Sequence, residues 1–143
     1  MILGIVGSEA AKFTVETETK AREIIRSLLE KLPPLSAACS GECPLGGIDI
    51  WTREEAEKLD IPFIPYAPRV FEWDRGYKPR NIKIAKTSDK VICITLKELP
   101  DSYQGMRFTR CYHCDTDQHV KSGGCWTTKY ARGLGKETET IVI

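Results

Sequence analysis

Residues 111–125, with the sequence CYHCDTDQHVKSGGC, contain three of the chain's six cysteines and both of its histidines. Cys111, Cys114, His119 and Cys125 follow the spacing C-x2-C-x4-H-x5-C, which is one residue longer than the spacing of a zinc knuckle. Three thiolates and one imidazole fill the four positions of a tetrahedral Zn²⁺ ion and leave none open. The pattern therefore predicts a structural zinc site.

Two other interpretations of these cysteines remain open. They are free thiols or a disulfide such as one between Cys111 and Cys125. His113 is a poorer ligand than His119, because it could bind the metal only by crowding between the two cysteines beside it. We expect residues 101–126 to form a small zinc-binding insertion within the single domain that residues 1–143 make.

A second group of chemically useful residues lies in the segment CSGECPLGGIDIW, residues 39–51. Its glycines let a ligand approach the main chain, and the start of the following helix favours negative groups. Asp49 could accept hydrogen bonds from ribose hydroxyls or act as a base, although a plain helix cap explains it equally well. The candidate ligand-binding residues here are Ser40, Gly41, Gly46, Gly47 and Asp49.

The first apolar run ends in Gly7 and Ser8, where exposed backbone N–H groups could hold a phosphate. The chain has neither the G-x-G-x-x-G pattern of dinucleotide-binding domains nor the G-K-[ST] of the Walker loop. The two residues are therefore a weaker indication than the loop around Asp49.

Five apolar runs alternate with four amphipathic segments along the chain. The predicted strands are MILGIVGS, LSAACSG, IPFIPYAP, KVICITL and ETIVI, and the predicted helices are VETETKAREIIRSLLEKLPP, DIWTREEAEKLD, KPRNIKIAKTSD and WTTKYARGLGK. This alternation predicts an α/β fold, a Rossmann-like three-layer sandwich around a mainly parallel five-stranded sheet. The prolines of the third strand suit an edge position. Ligands bind such sheets where the strand order reverses, which we expect between the first and fourth strands.

Four segments of the chain resemble the SLOG superfamily, which unites DNA-processing protein A and the "lonely guy" cytokinin-activating phosphoribohydrolases. They are the strand end IVGS, the loop SGECPLGGID, the Arg-Asn pair of GYKPRNIKIAKTSD and the strand KVICITL. The likeness is to the small stand-alone, nucleotide-sensing-like members, and it covers residues 1–96 and 127–143.

The resemblance implies a Rossmann-like domain with a nucleotide-type ligand. The family's Ser-Gly-Gly and Gly-x-Asp elements map onto Ser40, Gly41, Gly47 and Asp49, although Glu42 stands where a second glycine is expected. The phosphoribohydrolase motif P-G-G-x-G-T-x-x-E is absent, because PLGGIDIWTREE has Asp and Ile in place of its Gly and Thr. The resemblance therefore implies ligand binding more strongly than hydrolysis.

Arg80 and Asn81 map onto an Arg-Asn pair that opens the helix before the fourth strand in this family. A guanidinium there can bind a phosphate with two hydrogen bonds, and an amide can read a base edge or a ribose. A surface salt bridge is the alternative for Arg80. Thr95, at the end of the fourth strand, is expected to face the same pocket.

The leading hypothesis is a protein that binds a nucleotide or nucleotide-derived small molecule, either as a sensor or as a hydrolase of its N-glycosidic bond. In a hydrolase, Asp49, Glu54 or Glu55 would stabilise an oxocarbenium-like ribosyl group or activate water. The alternative is a nucleic-acid-binding module that uses the zinc-knuckle-like loop. A purely structural or partner-binding protein is a third hypothesis. The basic and aromatic residues available to the nucleic-acid-binding module are Arg107, Arg110, Lys121 and Trp126.

The composition limits these hypotheses. The chain has 143 residues, enough for one domain, and its 21 basic and 20 acidic residues leave a formal charge of +1, so no overall attraction to polyanions is expected. No segment has the length and apolarity of a membrane span or a signal peptide, so we expect a cytoplasmic protein without a membrane partner.

The other three cysteines lie outside the predicted zinc site. Cys93 is predicted to be a core residue, whereas Cys39 and Cys43 could pair or bind a second metal. The sequence leaves open whether the protein forms a homo-oligomer.

Overall fold

Five strands form a single parallel sheet in this computed structural model, which describes residues 1–143. The order is β3-β2-β1-β4-β5, and every neighbouring pair is parallel, so the predicted α/β Rossmann-like sandwich is confirmed. The proline-containing third strand lies at an edge, as expected. The strands are β1 (Ile2–Gly7), β2 (Ala37–Gly41), β3 (Phe63–Tyr66), β4 (Lys90–Thr95) and β5 (Glu137–Val142).

Four helices cover the two faces of the sheet in pairs. They are α1 (Val15–Glu30), α2 (Ile48–Lys58), α3 (Lys78–Thr87) and α4 (Gly123–Gly133). Ile25 of α1 and Trp51 of α2 pack with Leu3 of β1 in the larger core cluster. Ile84 of α3 and Ala131 of α4 pack with neighbouring strand residues in the second cluster, on the other face. The sheet is therefore the middle layer of three.

Helix α4 begins three residues earlier than the sequence pattern predicts. Ser122 is its N-cap, and the Ser122 hydroxyl accepts a hydrogen bond of 3.1 Å from the Gly124 N–H. Gly123 and Gly124 are consequently the first two residues of the helix rather than part of the preceding loop. A serine cap can start a helix at residues of low helix propensity, which is why the glycines misled the prediction.

The strand order reverses between β1 and β4, which pair in the register Gly7 with Ile94. The helices that follow these two strands leave on opposite faces, so a crevice opens at the carboxyl ends of the strands. Ser8 follows β1 directly, and its hydroxyl lies 3.2 Å from the hydroxyl of Thr95 at the end of β4.

Residues 96–122 connect β4 to α4 and contain most of the cysteine cluster. A short antiparallel bridge joins Cys111 and Thr116, with backbone hydrogen bonds of 2.9 and 3.1 Å between them. Val120 returns the connection to the sheet by donating its N–H to the carbonyl of Leu96 at 2.9 Å. None of the helices combines the length and the apolarity that a membrane crossing requires.

Candidate functional site

A cavity of about 210 Å³ lies at the carboxyl edge of the sheet, beside the ends of β1 and β2. Its lining includes the end of β1 and the segments that follow β1, β2 and β4, next to the strand-order reversal where the fold predicts a ligand. Six of the residues proposed from the sequence as ligand-binding line it: Gly7, Ser8, Gly46, Asp49, Arg80 and Asn81.

Asp49 and Arg80 form an ion pair at the wall of this cavity. Arg80 Nη1 donates to Asp49 Oδ2 at 3.4 Å, and the hydroxyl of Ser40 donates to Asp49 Oδ1 at 3.0 Å. Burial raises the pKa of the Asp49 carboxyl, although Arg80 and Ser40 both act to lower it. Asp49 is thus a buried carboxylate that lines the cavity. It is not only the helix cap that the sequence also allowed.

Arg80 and Asn81 retain hydrogen-bond donors that no protein group uses. Arg80 Nε donates to Asn81 Oδ1 at 2.7 Å, and the Arg80 guanidinium lies 5.5 Å from the centre of the Tyr77 ring. Neither Arg80 Nη2 nor Asn81 Nδ2 has a partner within the protein, yet both side chains are more than nine-tenths buried. The two donors face the cavity that both residues line, so the wall is suited to a ligand with hydrogen-bond acceptors.

Gly41 is necessary for the position of the ion pair. A side-chain carbon at position 41 would collide with Arg80 Nη1 and would lie 2.7 Å from Asp49 Oδ2. The glycine at the end of β2 therefore makes room for a charged pair of the protein itself. It does not line the cavity.

Gly47 and Thr95, also proposed as ligand-binding, lie behind the cavity wall. Gly47 caps α2 with φ +91°, and a side-chain carbon there would meet the carbonyl of Ser8 and lie 2.7 Å from the backbone nitrogen of Ala10. The backbone that closely approaches Gly47 is therefore the protein's own. Thr95 is fully buried against Ser8, with its hydroxyl 3.4 Å from the carbonyl of Val120.

The first turn of α4 supplies cavity-lining residues that the sequence reasoning missed. Gly123, Gly124 and Thr127 line the cavity, and Gly124 is so close to β1 that a side-chain carbon would lie 2.7 Å from the backbone nitrogen of Gly7. The start of a helix favours negative groups, and glycines let such a group approach the main chain. Ser122 was the available signal, because serine is a strong helix cap.

Two aromatic side chains, Trp73 and Tyr77, form another part of the cavity wall. They lie at the two ends of a single π-helical turn, Trp73–Tyr77, which the sequence did not predict. Trp73 contacts Trp126 edge to face at 5.0 Å between ring centres, and Trp126 stacks on Tyr130 of α4. This arrangement fixes an exposed indole at the cavity.

Lys12 and Glu9 add one charge of each sign to the lining. Lys12 Nζ donates to the carbonyl of Lys121 at 3.2 Å, and burial lowers the pKa of its ammonium group. The hydroxyl of Tyr103 donates to Glu9 Oε1 at 3.1 Å, which attaches the connection after β4 to the loop after β1. Asp49, Arg80, Lys12 and Glu9 together give the cavity lining two charges of each sign.

Glu54 and Glu55, the other catalytic candidates from the sequence, lie away from the cavity on the side of α2 that faces α1. Glu54 accepts a hydrogen bond from Arg22 at 3.1 Å. Glu55 is fully buried and accepts from Arg22, Arg26 and Lys58 at 2.7 to 3.1 Å. Although burial acts to raise the pKa of Glu55, the hydrogen bonds from these three basic groups lower it. Both glutamates therefore hold helices together, and Asp49 is the one candidate carboxylate at the cavity.

The four predicted metal ligands come together at one point beside α4. One ligand atom from each of Cys111, Cys114, His119 and Cys125 lies within 4.8 Å of all the others, close enough to hold a single metal ion. His119 Nδ1 is 3.0 Å from the carbonyl of Val120, an arrangement that leaves Nε2 for the metal. No disulfide is present, so the alternative of a Cys111–Cys125 disulfide is not what the structure contains.

The crowding of these thiols favours a cation among them. Burial and the charges of the two neighbouring cysteines raise the pKa of Cys114 to about 12. The contact with Cys93, together with burial, raises the pKa of Cys125 as well. Hydrogen bonds from the backbone of residues 113 and 114 lower the pKa of Cys111 despite its burial. Thiols placed in this way cannot all ionise without a positive ion to compensate.

The basic residues of the nucleic-acid hypothesis are largely engaged within their own loop. Arg107 donates to the carbonyls of Pro100 and Tyr103, and Arg110 pairs with Asp115 at 2.9 Å. Lys121 Nζ lies over the ring of Phe108 at 4.8 Å. These contacts do not form a continuous basic track. Cys39 and Cys43 are free thiols, and neither belongs to a metal-binding group.

No protein-family model matches the sequence, and no curated protein matches it.

Proposed function

We propose that this protein binds a nucleotide or a nucleotide-derived small molecule in the cavity at the carboxyl edge of its sheet, as a SLOG-type Rossmann-like domain. The observation that carries the proposal is the pair of unused donors that Arg80 and Asn81, two residues buried for more than nine-tenths of their surface, present to a cavity next to the strand-order reversal. Free donors on residues held in place in this way are suited to the phosphate, ribose and base oxygens of a nucleotide.

The start of α4 is the candidate position for the phosphate. Gly123 and Gly124 line the cavity there, and Lys12 places an ammonium group in the same lining. A helix start and a nearby cation both stabilise an anion, and together they oppose the charges of Glu9 and Asp49.

Asp49 and the aromatic turn are the candidates for the rest of the ligand. Asp49 can accept hydrogen bonds from sugar hydroxyls, while Trp73 or Tyr77 can stack on a base. With a volume of about 210 Å³, the cavity suits part of a mononucleotide better than a dinucleotide.

Calorimetric titration with nucleoside monophosphates, nucleoside diphosphates and ADP-ribose tests ligand binding. Arg80→Ala should weaken the binding of the active compound by about 1.5 to 3 kcal/mol, the usual range for a hydrogen bond to a charged group. Arg132→Ala, which removes an exposed arginine that donates to Thr138, is the matched control and should bind normally. Equal binding by all three proteins would place the ligand elsewhere.

Hydrolysis of an N-glycosidic bond is the catalytic form of the proposal, with Asp49 as the acting carboxylate. Its raised pKa is typical of carboxyl groups that transfer protons. Chromatographic detection of a released base tests this form directly. Asp49→Asn should then abolish base release with binding largely kept, whereas Glu54→Gln should leave turnover unchanged. A sensor would bind without releasing any base.

We further propose that the metal held by Cys111, Cys114, His119 and Cys125 is Zn²⁺ in a structural role. Three sulfur ligands and one imidazole nitrogen are a typical zinc set, and bond lengths near 2.3 and 2.0 Å suit ligand atoms this close together. Elemental analysis of the purified protein should find about one zinc per chain. Cys125→Ser should lower the zinc content, while Cys43→Ser should not. Full zinc content in Cys125→Ser would contradict this ligand set.

A further inference from the structure

Cys93 provides a fifth sulfur next to the metal-binding group. It lies on β4, is fully buried, and its Sγ is 3.9 Å from Sγ of Cys125. Cys93 is not one of the four grouped ligands, which are already enough for a tetrahedral ion. The sequence pattern marks Cys93 only as a core residue.

The sulfur atoms form a series from solvent to core. Cys114 is exposed, Cys125 is 1% exposed, and Cys93 is 0% exposed. Cys114 and Cys125 have ligand atoms within 4.8 Å of each other, and Cys125 in turn contacts Cys93. An oxidation that starts at the exposed thiol can therefore be passed inward over two short steps.

We propose that Cys93 and Cys125 are an oxidative modification site, in which a hydroperoxide that reacts at Cys114 finally produces a Cys93–Cys125 disulfide and removes Cys125 from the metal. Metal binding keeps the cysteines of the group as thiolates, which is the form that peroxides attack. The inference rests on the proposed zinc site for the reactivity of the Cys114 thiolate and for the metal release. It is independent of the ligand in the cavity.

The reaction balances in three steps. The Cys114 thiolate attacks the peroxide, the O–O bond breaks, and an alcohol, or water from hydrogen peroxide, leaves together with a sulfenic acid at Cys114. The Cys125 sulfur attacks this sulfenic acid, and the S–O bond breaks with loss of water. The Cys93 sulfur then attacks Cys125, and Cys114 leaves as a thiol. In total, two thiols lose two electrons and two protons to one hydroperoxide.

Cys39 shows why the position of Cys93 matters. Both are fully buried strand cysteines in the same core cluster. Cys39, however, lies on β2 and is not part of the metal-binding group, and the sulfur that Cys125 contacts is that of Cys93. Cys39 is therefore a matched control for a test of Cys93.

The test is a disulfide map of the zinc-loaded protein after treatment with a small excess of hydrogen peroxide. Free thiols are alkylated, and the protein is digested with trypsin. The expected product joins the peptides VICITLK and SGGCWTTK, which contain Cys93 and Cys125, while Cys114 is recovered alkylated in CYHCDTDQHVK. Zinc should appear in solution in parallel, and a dithiol should reverse the cross-link.

The variants extend this test. In Cys93→Ala the reaction should stop one step earlier, so that CYHCDTDQHVK is joined to SGGCWTTK and Cys114 is no longer alkylated. Cys39→Ala should give the wild-type map. An oxidised wild-type protein with Cys93 fully alkylated, or with Cys111 joined to Cys114, would overturn the inference even if a variant failed to fold. Zinc content before oxidation tests the metal separately.

Discussion

Arg80 Nη1 and Asp49 Oδ2 lie 3.4 Å apart at a site where both side chains are about nine-tenths buried. Removal of either partner leaves the other charge buried and uncompensated, which is usually far more costly than the loss of an exposed pair. A ligand phosphate or hydroxyl at this wall would contact a pair whose position is already fixed, so little side-chain entropy would be lost on binding.

Gly41→Ala should weaken ligand binding although residue 41 does not line the cavity. The added methyl group would occupy the space of Arg80 Nη1, so the guanidinium has to move away from Asp49. We expect a loss of about 1.5 to 3 kcal/mol in binding, measured by calorimetry. Gly133→Ala is the control, since its methyl group meets nothing within 4 Å and should leave binding unchanged. Normal binding by Gly41→Ala would contradict this role.

Gly47→Ala should destabilise the fold more than Gly135→Ala. Both glycines have positive φ, +91° and +81°, but only Gly47 would also place a side-chain carbon against the Ser8–Ala10 backbone. Strain alone should cost about 1 to 2 kcal/mol in each variant, and the collision should add to this cost for Gly47. Urea unfolding curves measure the difference. Equal losses would indicate that the loop after β1 adjusts freely.

The stability of the protein should contain a pH-dependent contribution from Asp49. Because burial raises the pKa of Asp49 in the folded state, this contribution is fully present below the unfolded pKa of about 3.9 and is lost as pH rises through the folded pKa. The free energy of unfolding of the wild type, minus that of Asp49→Asn, should therefore fall as pH increases from about 4. A difference that rises over this range would contradict the raised pKa.

Removal of the metal should loosen residues 101–122 before the sheet. Apart from the sheet contacts of Val120, most of the ordering contacts of this connection are within it, including the Cys111–Thr116 bridge. Hydrogen exchange after treatment with a chelator should increase in this segment, while β1 and β4 keep their protection. Cys114→Ser should show the same pattern of hydrogen exchange without a chelator. If β4 lost its protection from exchange at the same time as residues 101–122, the metal would support the whole domain.

The architecture was predictable because each strand and helix has its own periodic pattern. Apolar runs such as KVICITL give buried parallel strands, and the prolines of IPFIPYAP give the edge. The metal group was predictable because its ligands are close in sequence and their spacing limits the geometry.

The remaining parts of the cavity depend on long-range packing. Lys12 and Trp73 lie far apart in sequence, and neither has a neighbouring pattern that suggests a site. Gly41 and Gly47 were predicted to let a ligand approach the main chain, but the groups that approach them are Arg80 and Ser8 of the protein itself. A sequence indicates where space is needed, whereas only the fold identifies which group occupies it.

Helix α4 belongs to both candidate sites, because Cys125 in its first turn is one of the four proposed metal ligands and Gly123 and Gly124 line the cavity. Any cavity ligand that orders this turn must, by thermodynamic reciprocity, tighten metal binding by the same factor by which the metal tightens ligand binding. The affinity for the ion, measured by competition with a chelator, would then report on occupancy of the cavity. Binding at one site could in this way be detected at the other, because both sites share the first turn of this eleven-residue helix.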